Sequence, residues 1–263
     1  MNNPRIYGTP PFTVVVVHGG PGAPGTMAPV AREMASSWGV LEPLQTARSL
    51  EDQILELGHV VTSQADTPVA LIGSSWGAML SFIVAARFPD LVRKLILIGS
   101  GVFEDRYAAG IDVERLRRLG DDERRAANQL IDDLNNPAVI HKNTVMAELG
   151  HLFTRTDAFD PLTLDTEVIA VQFDIFQAVW AEMVAYRESG ALLELGQQIR
   201  CPVVAIHGDY DPHPAAGIRE PLSTVLSDFR FILLDQCGHL PWIERRAQDR
   251  FYRILNQEIG LPE

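Results

Sequence analysis

The chain has 263 residues, 46% of them hydrophobic and 21% charged, enough to bury one large core or a core with an inserted cap. Its 22 Lys and Arg face 34 Asp and Glu, and a net charge of -12 argues against nucleic acid or an anionic membrane surface as partner, since both call for a basic face. No apolar run reaches bilayer-spanning length, the start from Met1 to Tyr7 has no apolar leader core, and Cys201 and Cys237 form no cysteine framework, so a cytoplasmic chain with reduced thiols is expected.

The first element is the β-branched, unalternating run Phe12 to Val17, which reads as a strand covered on both faces, as in parallel sheets. It enters His18-Gly19-Gly20-Pro21-Gly22-Ala23-Pro24-Gly25, whose Gly and Pro specify a fixed, irregular loop able to bring its backbone close to a ligand. A helix from about Thr26 to Trp38 and a short strand at Val40 and Leu41 follow. Ser49 with Glu51 and Asp52 marks the start of a helix reaching His59 to Thr62. Val69 to Ala78 then reads as buried strand, tight turn and helix, the helix carrying Met79, Phe82, Ile83 and Ala86 and stopping at Pro89. Leu95 to Ile98 is the next strand.

From Phe103 to Gly190 the strand-like runs vanish. This stretch is expected to be a helical cap, with Arg115 to Arg118 and Asp121 to Arg125 on solvated faces. A helix from Val168 to Tyr186 carries Phe173, Phe176, Val179, Trp180 and Met183 at the spacing of ordinary core packing. Strands resume at Val203 to Ile206 and Phe229 to Leu234, and an amphipathic helix runs from Arg246 to Gln257. Strands alternating with helices predict an α/β fold with a doubly wound, mostly parallel sheet of about six strands. The organisation expected is core at 1–102, cap at 103–190 and core again at 191–263.

Chemistry enters through three loops, each following a core strand, where open α/β sheets gather functional groups. Gly73 and Gly77 flank Ser75 in the Gly-x-Ser-x-Gly spacing of a nucleophile elbow. Alone, that pentapeptide arises by chance in roughly one chain in ten of this length at ordinary Gly and Ser usage. A serine hydroxyl needs a neutral imidazole to take its proton and a carboxylate to orient that imidazole. Ser75, Asp211 and His239 supply these in the chain order Ser, Asp, His. Asp209 competes with Asp211 for the acid role. His18 reads as bracing its glycine loop, His207 and His213 as structural or peripheral, and His59, His141 and His151 as helical residues without a visible partner. No His, Cys or carboxylate set has metal-ligand spacing, and no metal or organic cofactor is implied.

These motifs resemble the α/β-hydrolase superfamily over nearly the whole chain. His18-Gly19-Gly20-Pro21-Gly22 together with Gly73-Ser74-Ser75-Trp76-Gly77 is most similar to the proline iminopeptidase branch, which removes N-terminal residues from small peptides. The resemblance implies an oxyanion hole made by the backbone N-H groups of Gly20 and Trp76. Its Gly-x-x-Asp pattern selects Asp211 after Gly208, and its Gly-His-x-Pro-x-x-Glu pattern selects His239. The branch usually has two more strands before the glycine loop and an Asp-x-Arg-Gly-x-Gly segment, where this chain has only about eleven residues ahead of Phe12 and Leu41-Glu42-Pro43-Leu44-Gln45. The loop from Cys237 to Trp242 also resembles those of esterases and carbon-carbon bond hydrolases. Relatives that are dehalogenases or epoxide hydrolases use aspartate as nucleophile, where this chain has Ser75.

The expectation is a serine hydrolase cleaving a small carboxylic ester or amide, with aminopeptidase action on a short peptide as one form of it. An aminopeptidase needs carboxylates for the substrate ammonium, and Glu104, Asp105, Glu148, Asp174 and Glu182 are available in the cap. An esterase, lactonase or carbon-carbon bond hydrolase is the alternative, and a non-catalytic ligand-binding member of the fold a further one. Oligomeric state leaves no mark in the sequence.

Overall fold

The structure is a computed structural model that describes residues 3–260. Met1 and Asn2, the beginning of the stretch read above as lacking an apolar leader, lie outside the described residues, as do 261–263.

Valines 14 to 17 are fully buried because both faces of the strand are covered. Alternation sends Val15 and Val17 to one side and Val14 and Val16 to the other, so each face gains its own apolar cluster. The described strands are β1 (Arg5–Tyr7), β2 (Phe12–Val17), β3 (Gly39–Glu42), β4 (Val69–Ser74), β5 (Val92–Ile98), β6 (Val203–Gly208) and β7 (Phe229–Leu234). They form one sheet in the order β1-β3-β2-β4-β5-β6-β7, parallel except for β1, which pairs antiparallel with β3. The sheet therefore has seven strands where about six were expected. The extra one is a three-residue edge pairing, too short to leave a periodic signal.

Helices cover both faces. On one lie α1 (Ala28–Met34) and α10 (Gln248–Gly260), whose Val30, Met34, Phe251 and Leu255 pack on Val14, Val16, Ile72 and Ile96. On the other lie α2 (Leu50–Gln64) and α3 (Trp76–Arg87), whose Ile54, Leu57, Phe82 and Ile83 pack on Val15, Val17, Leu71 and Leu97. The Ser49 hydroxyl caps α2 by accepting the N-H of Asp52.

Between β5 and β6 the chain is helical, with α4 (Ile111–Arg117), α5 (Asp121–Asn135), α6 (Lys142–Asp157), α7 (Phe173–Glu188) and the short α8 (Ala191–Glu194). The stretch from α4 to α6 has a small cluster of its own, built on Leu119, Ala127 and Leu149. By contrast α7 is sewn into the main core, since Ile175, Val179 and Met183 join the cluster under α2 and α3. The last helix of the sheet domain before α10 is α9 (Ala216–Val225), which leads to β7.

Two expectations need correction. Residues 168–172 are not helical, because their N-H groups are used elsewhere: Ile169 donates to Pro24 O and Gln172 to Gly22 O. Arg115 and Arg118 are not on a solvated face. Arg115 is largely covered where it pairs with Asp157, and the Arg118 guanidinium lies 3.7 Å from the centre of the Tyr210 ring.

Candidate active site

Strand order reverses direction beside β2, whose sheet neighbours are β3 on one side and β4 on the other. At such a switch point the loops leaving adjacent strands diverge and open a crevice. The glycine loop leaves β2 here and Ser75 leaves β4.

Ser75 occupies a backbone conformation that L-residues rarely adopt, with φ 53° and ψ -116°, and it stands directly before the first turn of α3. The flanking glycines make the turn sterically possible. A Cβ at Gly73 would lie 2.1 Å from Gly77 O, and one at Gly77 would lie 2.3 Å from Val17 O. The Trp76 N-H begins α3 and so has no acceptor within its own helix. The glycine loop abuts the elbow, since a Cβ at Gly19 would stand 3.3 Å from the Ser75 Cβ, while Gly20 has φ 61° and its carbonyl accepts the N-H of Ala23. The other glycines of this loop face protein. At Gly22 a Cβ would meet Gln172 O at 2.3 Å, and at Gly25 it would meet Glu167 O at 2.6 Å.

The loops after β6 and β7 meet each other. His239 Nδ1 donates to Asp211 Oδ2 at 2.7 Å, and both residues are buried. Asp209 does something else: its carboxylate accepts the N-H of Cys237 at 3.1 Å. Burial opposes ionisation of Asp211, but the neighbouring imidazoles of His239, His213 and His207 more than offset it and hold the carboxyl well below its ordinary range. Burial likewise opposes charge on His239, yet Asp211 outweighs it and raises the imidazole above its ordinary 6.5.

Ser75 and His239 both adjoin the end of β5, at Ile98 and at Gly99, the residue after it. The Ser75 N-H donates to Ile98 O at 2.9 Å, and a Cβ at Gly99 would stand 3.2 Å from His239 Nδ1. Among the described residues no hydrogen bond links Ser75 Oγ to His239.

His213 also belongs to this cluster. Its Nδ1 donates to Asp211 Oδ1 at 2.7 Å, its own N-H to the same oxygen at 2.9 Å, and its ring stacks on His239 with centres 4.7 Å apart. Asp211, His213 and His239 thus bring three ligand-type atoms together. The 2.7 Å separations are those of hydrogen bonds, whereas two ligands of a tetrahedral zinc ion stand about 3.3 Å apart.

The two cysteines are free thiols, and burial pushes Cys201 up to about 11. His18 is fully buried with both ring nitrogens used, Nδ1 donating to Gly19 O and Nε2 accepting the N-H of Gln45. Desolvation pushes it down to about 4, so it is neutral at pH 7.

The arrangement has known counterparts, for residues 63–245 match the family model described as the alpha/beta hydrolase fold. The chain belongs to the alpha/beta hydrolase family. It is 23% identical to the 2-hydroxy-6-oxo-2,4-heptadienoate hydrolase of Pseudomonas putida, over 95% of this chain and 90% of that protein. Among solved structures, VinJ matches with a TM-score of 0.68 at 16% identity, covering 97% of this chain and 93% of that one. A 2-hydroxy-6-oxo-6-phenylhexa-2,4-dienoate hydrolase from Rhodococcus sp. strain RHA1 matches at 0.61 and 18%, and a proline iminopeptidase from Mycobacterium smegmatis at 0.61 and 17%, each over 97% of this chain and 92% of the other.

In this alpha/beta hydrolase the site borders the helical segment between β5 and β6. Trp180 of α7 sits edge-on to Trp76, and Phe176 stacks on Trp180. A cavity of about 180 Å³ beside His239 is lined by Arg115, Phe153, Asp157, Leu240 and Ile243 among others. Sequence reasoning missed His213 and Arg115. The run Asp211-Pro212-His213 carried a usable signal for the first, because a donor two residues after an Asp is placed to bond its side chain. For Arg115 the partner, Asp157, lies on another helix and no local pattern reveals it. No helix among the described residues is long and apolar enough to cross a membrane.

Proposed function

We propose that this chain is a serine hydrolase that cleaves a small carboxylic ester or amide through an acyl-enzyme. The observation that carries the proposal is the buried 2.7 Å hydrogen bond between Asp211 and His239, set across Gly99 from a serine whose backbone is held at φ 53°. His239 takes the Ser75 proton through Nε2 as Oγ attacks the substrate carbonyl. The charge that develops on oxygen is met by the N-H groups of Gly20 and Trp76, and ionised Asp211 stabilises the imidazolium. His239 then returns the proton to the leaving group, and water repeats the cycle on the acyl-enzyme. The open Ser75 to His239 contact is consistent with a site whose catalytic hydrogen bonds tighten when substrate binds.

The substrate in this reading is a small molecule or short peptide, and the small cavity beside His239 supports it. For the aminopeptidase form, four of the five candidate carboxylates already have partners: Glu104 with Arg106, Asp105 with Arg187, Asp174 with Arg48, and Glu182 with the N-H of Leu50. That favours esters and simple amides over substrates bearing a free amine. A carbon-carbon bond hydrolase is the second reading, supported by the near full-length match to a dienoate hydrolase.

The test is labelling by a fluorophosphonate, followed by kcat/KM for p-nitrophenyl acetate, an alanyl arylamide, its N-acetyl form and a 2-hydroxy-6-oxo-dienoate. Labelling of the parent and none of Ser75→Ala, with ester turnover rising through an acid limb above pH 6.5 as His239 loses its proton, is the outcome expected. Equal labelling of parent and variant sinks the proposal. Fast dienoate cleavage with slow ester cleavage transfers it to the second reading.

A further inference from the structure

Asp211 has two carboxylate oxygens and, around them, three imidazoles. His239 holds Oδ2. His213 holds Oδ1 twice, through its ring and through its own backbone N-H. His207 Nε2 lies 3.6 Å from Oδ2 but bonds the His213 carbonyl, at 2.8 Å. The backbone N-H, the carbonyl and the ring Nδ1 of His213 are therefore all committed to this cluster. A histidine that merely finished a turn would need only its main chain there.

We propose that His213 is a positioning residue for the Asp211 and His239 pair: it fixes the carboxylate by holding one oxygen, and by sharing that charge it sets when His239 takes up a proton. This rests on the serine hydrolase reading only for its consequence in catalysis.

Two physical effects act in one direction. A carboxylate whose second oxygen already accepts two N-H groups has less charge to offer His239 than a free one. Two stacked imidazoles with centres 4.7 Å apart also repel if both are charged, so their protonations are coupled. The groups that face them are Asp211 from the loop after β6, His207 from β6, and Asp157 and Arg115 from the helical segment. For His213, burial outweighs Asp211 and holds the ring below its ordinary range, whereas His239 is held above it. As pH falls, His239 is therefore the first of the two rings to take up a proton, and His213 stays a neutral donor through Nδ1.

Removing the ring donor should leave more of the carboxylate charge to His239, because only the backbone N-H of residue 213 then holds Oδ1. The imidazolium then becomes more stable, and the acid limb of kcat/KM moves to higher pH. Freed of one anchor, Asp211 also samples other rotamers, so kcat falls while KM holds.

Two substitutions separate donor from ring. His213→Phe keeps a flat ring for stacking and deletes the donor; His213→Asn keeps an N-H near the position of Nδ1 and deletes the ring. The measurement is an NMR titration of the imidazole nitrogens in the full chain, with fluorophosphonate labelling and p-nitrophenyl acetate turnover against pH. In the parent, His239 should protonate at higher pH than His213. In His213→Phe the His239 midpoint should rise by about half to one pH unit, and kcat should fall about tenfold with KM within about twofold. His213→Asn should recover most of the kcat.

A His239 midpoint and rates unchanged in His213→Phe would overturn the proposal, and so would His213→Asn failing as badly as His213→Phe. The order of protonation in the parent decides the matter if neither variant folds, because His213 titrating above His239 contradicts it. A parent that resists the fluorophosphonate, yet shows that order and that shift, removes the serine hydrolase reading and leaves this one standing.

Discussion

His18 illustrates how burial fixes a protonation state that function then inherits. Its neutral tautomer, with the proton on Nδ1, braces the glycine loop from inside by joining Gly19 O to the N-H of Gln45. In the unfolded chain the same ring titrates near 6.5, and in the fold only at about 4. Below pH 6.5 the unfolded state binds a proton that the folded state refuses, so this contribution to stability is complete above 6.5, is lost as pH falls, and stops changing below about 4. Its full size is on the order of 3 kcal/mol. Between pH 7.5 and 5.0 the unfolding free energy of the parent should therefore fall by about 2 kcal/mol more than that of His18→Gln, measured by urea titration at each pH. Equal slopes would show that His18 is not the group responsible. Residue types told much at this scale: Ser75, Asp211 and His239 stood out by motif and order. What stayed hidden was partnership, as with His213 and Arg115, because which carboxylate a side chain meets is decided by elements distant in sequence.

At the scale of elements, the glycine loop has two jobs. Gly19 lies against the elbow, while Gly22 and Gly25 let the backbone of 167–172 dock on the loop by main-chain hydrogen bonds. Ala at Gly22 must hold φ at 73° and place its Cβ 2.3 Å from a carbonyl oxygen, so Gly22→Ala should destabilise the chain by about 2–4 kcal/mol. Gly20→Ala meets only the Ala23 side chain at 3.2 Å and should cost about 1–2 kcal/mol, chiefly from its left-handed backbone. Chemical denaturation of the two variants separates them, and equal losses would contradict the docking role. Core strands were legible because burial on both faces writes itself as unbroken Val, Ile and Leu. The start of α7 was not, since residues 168–172 are apolar enough for a helix and are held extended only by a loop some 145 residues earlier.

Across the whole molecule, the loop carrying His239 is fastened to the helical segment rather than left free. The His239 N-H donates to Asp157 O at 2.8 Å, and Arg115 holds the Asp157 side chain. Fully buried Glu244 accepts the N-H groups of Gly238, Phe159 and Asp160, tying that segment's end to the loop. Glu244→Ala would leave three inner amides without an acceptor, each worth about 1–3 kcal/mol. It should lower stability by at least about 3 kcal/mol, and Glu244→Gln, which keeps an acceptor oxygen, should lose less. Thermal and urea unfolding of the two variants gives the comparison. Equal stability of parent and Glu244→Ala would mean that this seam carries no strain-bearing role.

In the serine hydrolase reading proposed above, the same fastening makes the proton carrier and the segment at 157–160 that borders it one mechanical piece. If that segment swung away, it would drag the His239 backbone with it and pull the imidazole from Asp211. On that reading an open form would be chemically idle, so a passing molecule that never seals the crevice would meet a serine with no partner to draw off its proton. Selectivity would then depend on which molecules let the segment stay shut, as an interlock admits current only when the door is closed.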